Sequence, residues 1–457
     1  MSPRHAAPSF RADTPSRAGS SAFPGTDLEV AEDEAPRHPA HARSLAHHRV
    51  MRTVGMVLTA LLAFGVAGGA TAAVKLTGNI KKVDAEQVLA DAGVARPRAA
   101  VPTDPNAGTP LNIVLMGTDT RDGANANFAS SENTGGARSD TTIVMHISGD
   151  RSRIDMVSIP RDSTVDIPSC VTANGKKTAP WGHTKFNAAF SQGYTKGGDL
   201  QSAGLCTMQT VEKLTDVRMQ GFIVVDFAGF AGMIDALGGV DICIPEAIDA
   251  PEAGNLKLAA GNQHLDGGTS LQFARARHGV GDGSDIQRIA RQQQLLAAVA
   301  REVLGANLLT DSPKLLQFLN ATTSSLTMSS NFSSVTGLAG LAYSLRSVRP
   351  DTITFMTVPW APDPQNPKAT IVWTRAAGTI WDNLNADRPA TTPEGAASTP
   401  TPAASPATPS ATAASTPAAG DAATTAPATP AQTPTPSKTV NPNKGPFTGA
   451  DTTAVCG

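Results

Sequence analysis

The run "TVGMVLTALLAFGVAGGATAAV", from Thr53 to Val74, carries no charged residue. At ~1.5 Å per helical residue its about 22 residues reach across the ~30 Å hydrocarbon core of a bilayer. No other feature constrains the chain as much, because in lipid such a run folds as one helix with its backbone groups paired internally. A buried core helix would be shorter and amphipathic. Arg37, Arg43, Arg49 and Arg52 precede the run, and Lys75, Lys81 and Lys82 follow it. The slight excess of positive charge ahead of it predicts a cytoplasmic N-terminus, with everything beyond the run outside the cell membrane. A cleaved signal peptide is the rival, since Ala70-Thr71-Ala72 resembles a small-residue cleavage site, but about 50 residues ahead of the run speak against cleavage. Either way the bulk of the 457 residues is exported.

The expected organisation follows from that segment. Residues 1–52, rich in Pro, Ala, His and Arg without hydrophobic period, read as a disordered cytoplasmic tail. Residues 53–75 form the membrane helix, 76–108 a linker, and 109–388 a folded domain. Residues 389–457 are rich in Pro, Ala and Thr and poor in large apolar side chains, which predicts a disordered tail, although the closing "GPFTGADTTAVCG" regains a little pattern and a cysteine. A net charge of −2 and a pI near 6.5 argue against a nucleic-acid-coating protein, so any basic site must be local. The four cysteines, Cys170, Cys206, Cys243 and Cys456, show no C-x-x-C pair and no zinc spacing. Three pairings are possible. Cys170 with Cys206 is the expected one, because the two flank a long loop-rich stretch that a disulfide would staple.

Within the folded region, "LNIVLMG" (111–117), "TTIVMHI" (141–147) and "RIDMVSI" (153–159) are β-branched apolar runs bounded by Gly, Asp and Pro, and so predict strands. Residues 148–152 are short enough to join the last two as a hairpin. "GFIVVD" (221–226) predicts a further strand leading into a small-residue helix, "FAGFAGMIDALGG", stopped by Gly238-Gly239. "VDICI" (240–244) and "TITFMTVPW" (352–360) complete the strands. Ser284 and Gln287 form an S-x-x-Q capping box at the start of a helix. Its stripe of Ile286, Ile289, Gln293, Leu296, Ala300 and Val303 is the face expected to be buried. Interleaved strands and helices give an α/β fold with a mixed central β-sheet flanked by helices, preceded by one transmembrane helix.

Three segments bring acid and arginine to strand ends: Asp119 with Arg121, Arg138 with Asp140, and Arg161 with Asp162. Ligands of α/β sheets collect at such ends. Asp119 and Asp140 together suit Mg²⁺, which takes one or two carboxylates and completes its shell with water and phosphate oxygens. Arg121, Arg138 and Arg161 add bidentate donors for the same phosphates. A second cluster lies in "LQFARARHGVGDGSDIQRIARQQ". Arg288 and Gln292, four apart, share a helical face in the first turns, where the helix N-terminus favours an anion. Arg275 and Arg277 approach across the glycine-rich turn. Arg291 falls on a neighbouring face, as a surface charge would. The turn is neither a dinucleotide fingerprint nor a Walker A loop.

These motifs, "NIVLMGTDTR", "RSDTTIVMHI", "DMVSIPRDSTVDIP", "KFNAAF", "VVDFAGFAGMIDALGGVDICIP", "LAAGNQHLDG" and "LQFARARHGVGDGSDIQRIARQQ", occur in the order seen in LytR–CpsA–Psr proteins, which the chain resembles over roughly residues 110–385. The resemblance implies a phosphotransferase that moves a glycopolymer from a polyprenyl-pyrophosphate carrier onto peptidoglycan. It further implies Mg²⁺ held by Asp119 and Asp140. Arg138, Arg161, Arg275, Arg277 and Arg288 would lie on the pyrophosphate, with Gln292 and Asp285 in the same cluster. Lys185 and Asn187 match a polar motif of the family and rank second. The prenyl chain would sit between sheet and helices, where "FAGFAGMIDALGG" is a candidate lining. Asp140 and Asp285 are the candidate bases, and a metal-bound Asp140 would be a poor one. A non-catalytic lipid-pyrophosphate sensor would keep the arginines without needing both metal carboxylates. A pyrophosphatase would differ only in using water as acceptor.

Overall fold

The structure, a computed structural model, describes residues 80–99, 108–120, 137–277, 283–305, 326–391 and 445–451, with a few isolated positions between. The uncharged run 53–74 lies outside these residues. Among those described, no helix is long and apolar enough to cross a membrane.

The strands in chain order begin with β1 (Lys81–Val83), β2 (Leu111–Thr118), β3 (Ser139–Ile147) and β4 (Ile154–Ile159). A ribbon of β5 (Thr164–Ile167) and β6 (Trp181–Lys185) follows, then β7 (Gly221–Asp226). Next come the antiparallel pairs β8 (Val240–Ile244) with β11 (Gly261–Leu265), and β9 (Ile248–Ala250) with β10 (Leu256–Leu258). β12 (Leu326–Ser329), β13 (Ile353–Thr357), the pair β14 (Trp360–Pro362) with β15 (Ile371–Trp373), and β16 (Phe447–Thr448) complete the set. One sheet has the order β1-β12-β7-β2-β3-β4-β13-β16. It is mixed, as the sequence predicts: β2 runs parallel to β7, while β3 is antiparallel to both β2 and β4. The expected strand over 352–360 divides, because Pro359 lacks the N–H that would continue β13.

The helices are α1 (Ala85–Asp91), α2 (Ala188–Gly197), α3 (Leu200–Thr215), α4 (Phe227–Leu237), α5 (Gly267–Arg275), α6 (Asp285–Gly305), α7 (Val335–Ser344) and α8 (Arg375–Asn385). Alternation along the strands feeds two cores. Val144, Val157 and Ile159 face α2, α3 and α8, while Ile143, Ile147, Ile154 and Met156 face α6. Both faces of the sheet are therefore covered. α3 is nearly enclosed, and Gly204 lets it approach the sheet: a Cβ there would stand 2.4 Å from the Phe222 ring. Cys170 and Cys206 are disulfide-bonded across 36 residues, the expected pairing. Closing such a loop restricts the unfolded chain by about 4 kcal/mol in the entropic account. Cys243 is disulfide-bonded as well.

Two expected boundaries are corrected. Residues 76–108 are not merely a linker: β1 pairs with β12 at the sheet edge, and α1 buries Leu89 completely. Arg96 joins in, donating from Nη2 to Glu212 at 2.6 Å. Nor is 389–457 wholly a tail. β16 pairs with β13, Phe447 stacks on Phe355 with ring centroids 5.3 Å apart, and Arg301 donates to Gly449 O at 2.8 Å. The low-complexity composition that dominates this stretch hides one short apolar segment, and the bare edge of β13 gives that segment something to pair with.

Candidate active site

The site forms where β2, β4 and β7 end and antiparallel β3 begins. β2 runs into Asp119, whose backbone N donates to Arg138 O at 3.2 Å. Arg138 N returns a bond to Asp119 Oδ1 at 2.8 Å, so the entry to β3 is fixed by the exit from β2. Asp140 is the second residue of β3. Arg161 follows β4 after Pro160, and its backbone O accepts from Asn187 N at 3.2 Å. Asp226 ends β7 and caps α4, accepting from Gly229 N at 2.8 Å. Ser284 caps α6 as its sequence predicts, accepting from Gln287 N at 3.3 Å.

From these ends the side chains converge. Arg161 Nη1 donates to Asp140 Oδ1 at 2.7 Å, and Arg288 Nη2 to the Asp140 carbonyl at 3.1 Å. Arg288 Nη2 lies 2.5 Å and Arg161 Nε 3.3 Å from Asp285 Oδ1. Neither contact has hydrogen-bond geometry. Both oxygens of Asp285 and the Nε atoms of Arg161, Arg277 and Arg288 are buried without a hydrogen-bond partner among the described residues. Buried guanidinium and carboxylate atoms left this way cost free energy in a folded protein. Where they border a cavity, such atoms are candidate ligand contacts.

The electrostatics separate the acids. Burial pushes Asp140 up, but the Arg161, Arg288 and Arg277 guanidiniums outweigh it and hold the carboxyl below its ordinary range. Asp285 goes the other way, raised by burial despite Arg288 and Arg161. Asp119 is also raised, chiefly by burial and in part by the Asp140 charge. Burial lowers Arg275 and Arg288 in spite of their acidic neighbours. Arg275 stacks over the Phe227 ring at 4.6 Å, which holds it at the mouth of α4.

Except for Asp285, these acids and arginines line one cavity of about 820 Å³. Its floor and roof are apolar: Leu115, Ile143 and Val225 from the sheet, Phe227 and Phe230 from α4, Leu271 from α5, Leu295 and Leu296 from α6. The helix expected as a lining thus supplies two phenylalanines. Asp119, Arg138, Asp140, Arg161, Lys185, Asn187, Arg275, Arg277, Arg288 and Gln292 line the polar part. Asp285 joins them through Arg161 and Arg288. Arg121 lies outside the described residues.

Arg291 corrects a sequence expectation. It is buried, not a surface charge, and its Nη2 donates to Ala276 O. The α6 stripe is likewise only partly as expected: Ile289 and Gln293 are buried, whereas Ile286 and Leu296 are partly exposed. The helix is enclosed on several faces by β8, β13 and the cavity.

Asp162 was given no role of its own in the sequence beyond its pairing with Arg161, and Asp226 was not anticipated as a site residue. Asp162 pairs with Lys185 Nζ at 2.6 Å, and its position directly after Arg161 at a strand exit was the signal. Asp226 ends a predicted strand in the same way.

A divalent cation fits the donor set. Asp119 and Asp140 share the cavity and feel each other's charge. Among the described residues no group of three or more His, Cys, Asp or Glu could hold a metal ion. Two carboxylates are what Mg²⁺ asks of a protein when water and phosphate oxygens fill its remaining positions.

Among known proteins, the cell wall biosynthesis protein LcpA of Corynebacterium glutamicum is 29% identical over 265 residues, which cover 54% of this chain and 49% of that protein. The chain thus spans about half the length of that curated relative. The polyisoprenyl-teichoic acid–peptidoglycan teichoic acid transferase TagT of Bacillus subtilis is 27% identical over 64% of this chain and 82% of its own. A solved structure, the LytR-Csp2A-Psr enzyme from Actinomyces oris, is 18% identical with a TM-score of 0.44, covering 67% of this chain and 96% of that one. The family model described as LytR_cpsA_psr matches residues 70–386, well over half of the sequence, and the chain belongs to the LytR–CpsA–Psr family.

Proposed function

We propose that the protein is a membrane-anchored phosphotransferase that moves a glycopolymer from a polyprenyl-pyrophosphate carrier to peptidoglycan. One observation carries this reading: a single cavity joins an apolar chamber to a band of arginines, of which Arg161, Arg277 and Arg288 have a buried Nε with no hydrogen-bond partner among the described residues. A lipid pyrophosphate has the matching shape, an apolar chain ending in a compact polyanion. The likeness to a teichoic acid transferase and to a cell wall biosynthesis protein supports the reading.

In this reaction an acceptor sugar hydroxyl attacks the sugar-linked phosphorus. A new P–O bond forms, the bond to the bridging oxygen breaks, and polyprenyl phosphate leaves. Arg161, Arg275, Arg277 and Arg288 neutralise the charge that gathers on the leaving phosphate, the usual source of catalysis in phosphoryl transfer. Arg138 and Gln292 add donors at the rim. Asp119 and Asp140 would hold Mg²⁺, which supplies Lewis-acid neutralisation of the pyrophosphate when bound. Asp140, kept ionised by Arg161, is suited to that role. Asp285, whose pKa burial raises and which the metal reading leaves free, is the candidate to accept the hydroxyl proton. Lys185 positions Asp162 beside Arg161. The run 53–74 anchors the domain, with its N-terminus in the cytoplasm and the catalytic domain outside.

The test is transfer of a lipid-linked glycan to peptidoglycan fragments by the full chain. Asp140→Ala and Arg161→Ala should each lower the rate by at least ~10²-fold, with circular dichroism unchanged. Chelation of divalent cations should stop transfer, and added Mg²⁺ should restore it. Wild-type rates from either variant would refute the assignment.

A further inference from the structure

The cavity has a third wall, built by the β5–β6 ribbon. Val165 pairs with Thr184 and Ile167 with Trp181, so two steps along β5 meet three along β6. The extra residue falls at Gly182-His183. His183 takes φ 49°, and its N donates to Asp166 Oδ1 at 2.8 Å, which secures the bulge. A bulge re-aims side chains. Trp181 and Thr184, three apart, would point to opposite faces of a regular strand. Here they share a face, and both line the cavity.

Trp181 is 51% exposed in a chain only 4% aromatic. The other tryptophans are used differently. Trp381 is buried, Trp373 donates to Ser163 Oγ at 3.0 Å, and neither these two nor Trp360 lines the cavity. A large apolar surface kept half in water by a dedicated backbone irregularity is what a stacking platform requires.

Its place in the cavity is fixed by the neighbouring charges. On β3, Ile143 lines the apolar chamber and Asp140 the charged band, about 10 Å apart at ~3.3 Å per residue. Arg161 extends the band from Asp140 to Asp162, and Asp162 holds Lys185 on the same strand as Trp181. The cavity thus has an apolar wall, a cationic band and the Trp181 indole, and Thr184, Lys185 and Ser191 line it as well. An indole face that shares a cavity with hydroxyl and ammonium groups suits a pyranose, whose axial C–H bonds pack on an aromatic ring while its hydroxyls take hydrogen bonds.

We propose that Trp181 is the platform of a sugar-binding subsite that holds a pyranose ring next to the pyrophosphate. The proposal rests on the lipid-pyrophosphate reading of the cavity. The ring belongs either to the sugar on the donor phosphate or to the acceptor glycan, and the experiment separates the two.

Affinities of the full chain, Trp181→Ala and Trp181→Phe are measured for three probes: polyprenyl pyrophosphate without sugar, polyprenyl-pyrophosphoryl-N-acetylglucosamine, and a soluble peptidoglycan disaccharide. Trp181→Ala should lose about tenfold affinity for at least one sugar-bearing probe beyond any change for the sugar-free lipid, and Trp181→Phe should recover most of it. A loss on the lipid-linked sugar assigns the donor, and a loss on the disaccharide assigns the acceptor. Equal losses on all three probes, or none on any, would overturn the subsite. Failure of the wild-type chain to bind the sugar-free lipid would instead overturn the proposed function, and the disaccharide arm would still decide the role of Trp181.

Discussion

β3 and β4 carry a charged network at each of their ends, and the two networks are built to different standards. At the far end from the cavity, His146 Nδ1 meets Asn112 Oδ1 at 2.7 Å and its Nε2 meets Asp387 Oδ1 at 3.1 Å. Asp387 Oδ2 accepts from Gly149 N at 3.0 Å, and Asp155 accepts from Arg153 Nε at 2.8 Å and from Ala390 N at 3.4 Å. Every carboxylate oxygen there has a donor. At the cavity end, Asp285 is ion-paired with Arg161 and Arg288, but among the described residues neither of its oxygens has a hydrogen-bond donor, and the buried Nε atoms of Arg161, Arg277 and Arg288 have no hydrogen-bond acceptor. Six residues of β3, roughly 20 Å, separate Asp140 from His146. The satisfied network closes the domain, tying the segment after α8 back to the sheet. The unsatisfied one lines the cavity that the proposed function assigns to a ligand. Hydrogen-bond completeness distinguishes them where charge content does not.

Breaking the cavity network should affect chemistry most. Arg288→Met is expected to lower transfer per folded molecule by ~10²–10³-fold. An unchanged rate per folded molecule would make this cluster structural and remove the contrast.

The opposite split is expected at the far end. Asp387→Asn should cost about 2 kcal/mol, because His146, Arg153 and the Gly149 N–H lose a charged acceptor, with transfer per folded molecule unchanged. A fall in turnover at equal folded fraction would show that the far network reaches the chemistry.

The smallest effect concerns acid. Burial raises Asp387, but the hydrogen bonds from His146 and Gly149 and the charges of His146 and Arg153 outweigh it, and its folded pKa lies below the ordinary carboxylate value. A depressed folded pKa gives stability that is fully present above the unfolded pKa and is lost as pH falls through the folded one. Urea midpoints measured downward from about pH 6 should decline for wild type below about pH 4. Asp387→Asn should show a shallower decline, and parallel acid limbs would remove Asp387 from the account.

The site was legible in the sequence where its residues sit at strand ends and helix starts. Asp119, Asp140 and Arg161 border β-branched runs, and Ser284 announces α6, so local pattern alone placed them near a common edge. Arg288 and Gln292 followed from helical period. Arg291 did not, because period gives faces but not what packs on them, and β8, β13 and the cavity enclose α6 on more than one side. Trp181 was missed for a related reason. Strand alternation assumes a regular register, and the bulge that turns Trp181 toward the cavity depends on a pairing with β5.

By itself, the sequence determined the α/β class, the hairpin of β3 and β4, the capped helix after the glycine-rich turn, and the Asp/Arg composition of the site. These rest on interactions between residues close along the chain, which leave a period or a motif. Only the tertiary structure decided that β1 and β16 close the edges of the sheet, that Asp285 is shared between Arg161 and Arg288, and that His146 and Asp387 seal the other end. Those pairings join residues far apart in sequence, and their energies come from burial and partnership, which exist only once the sheet has assembled.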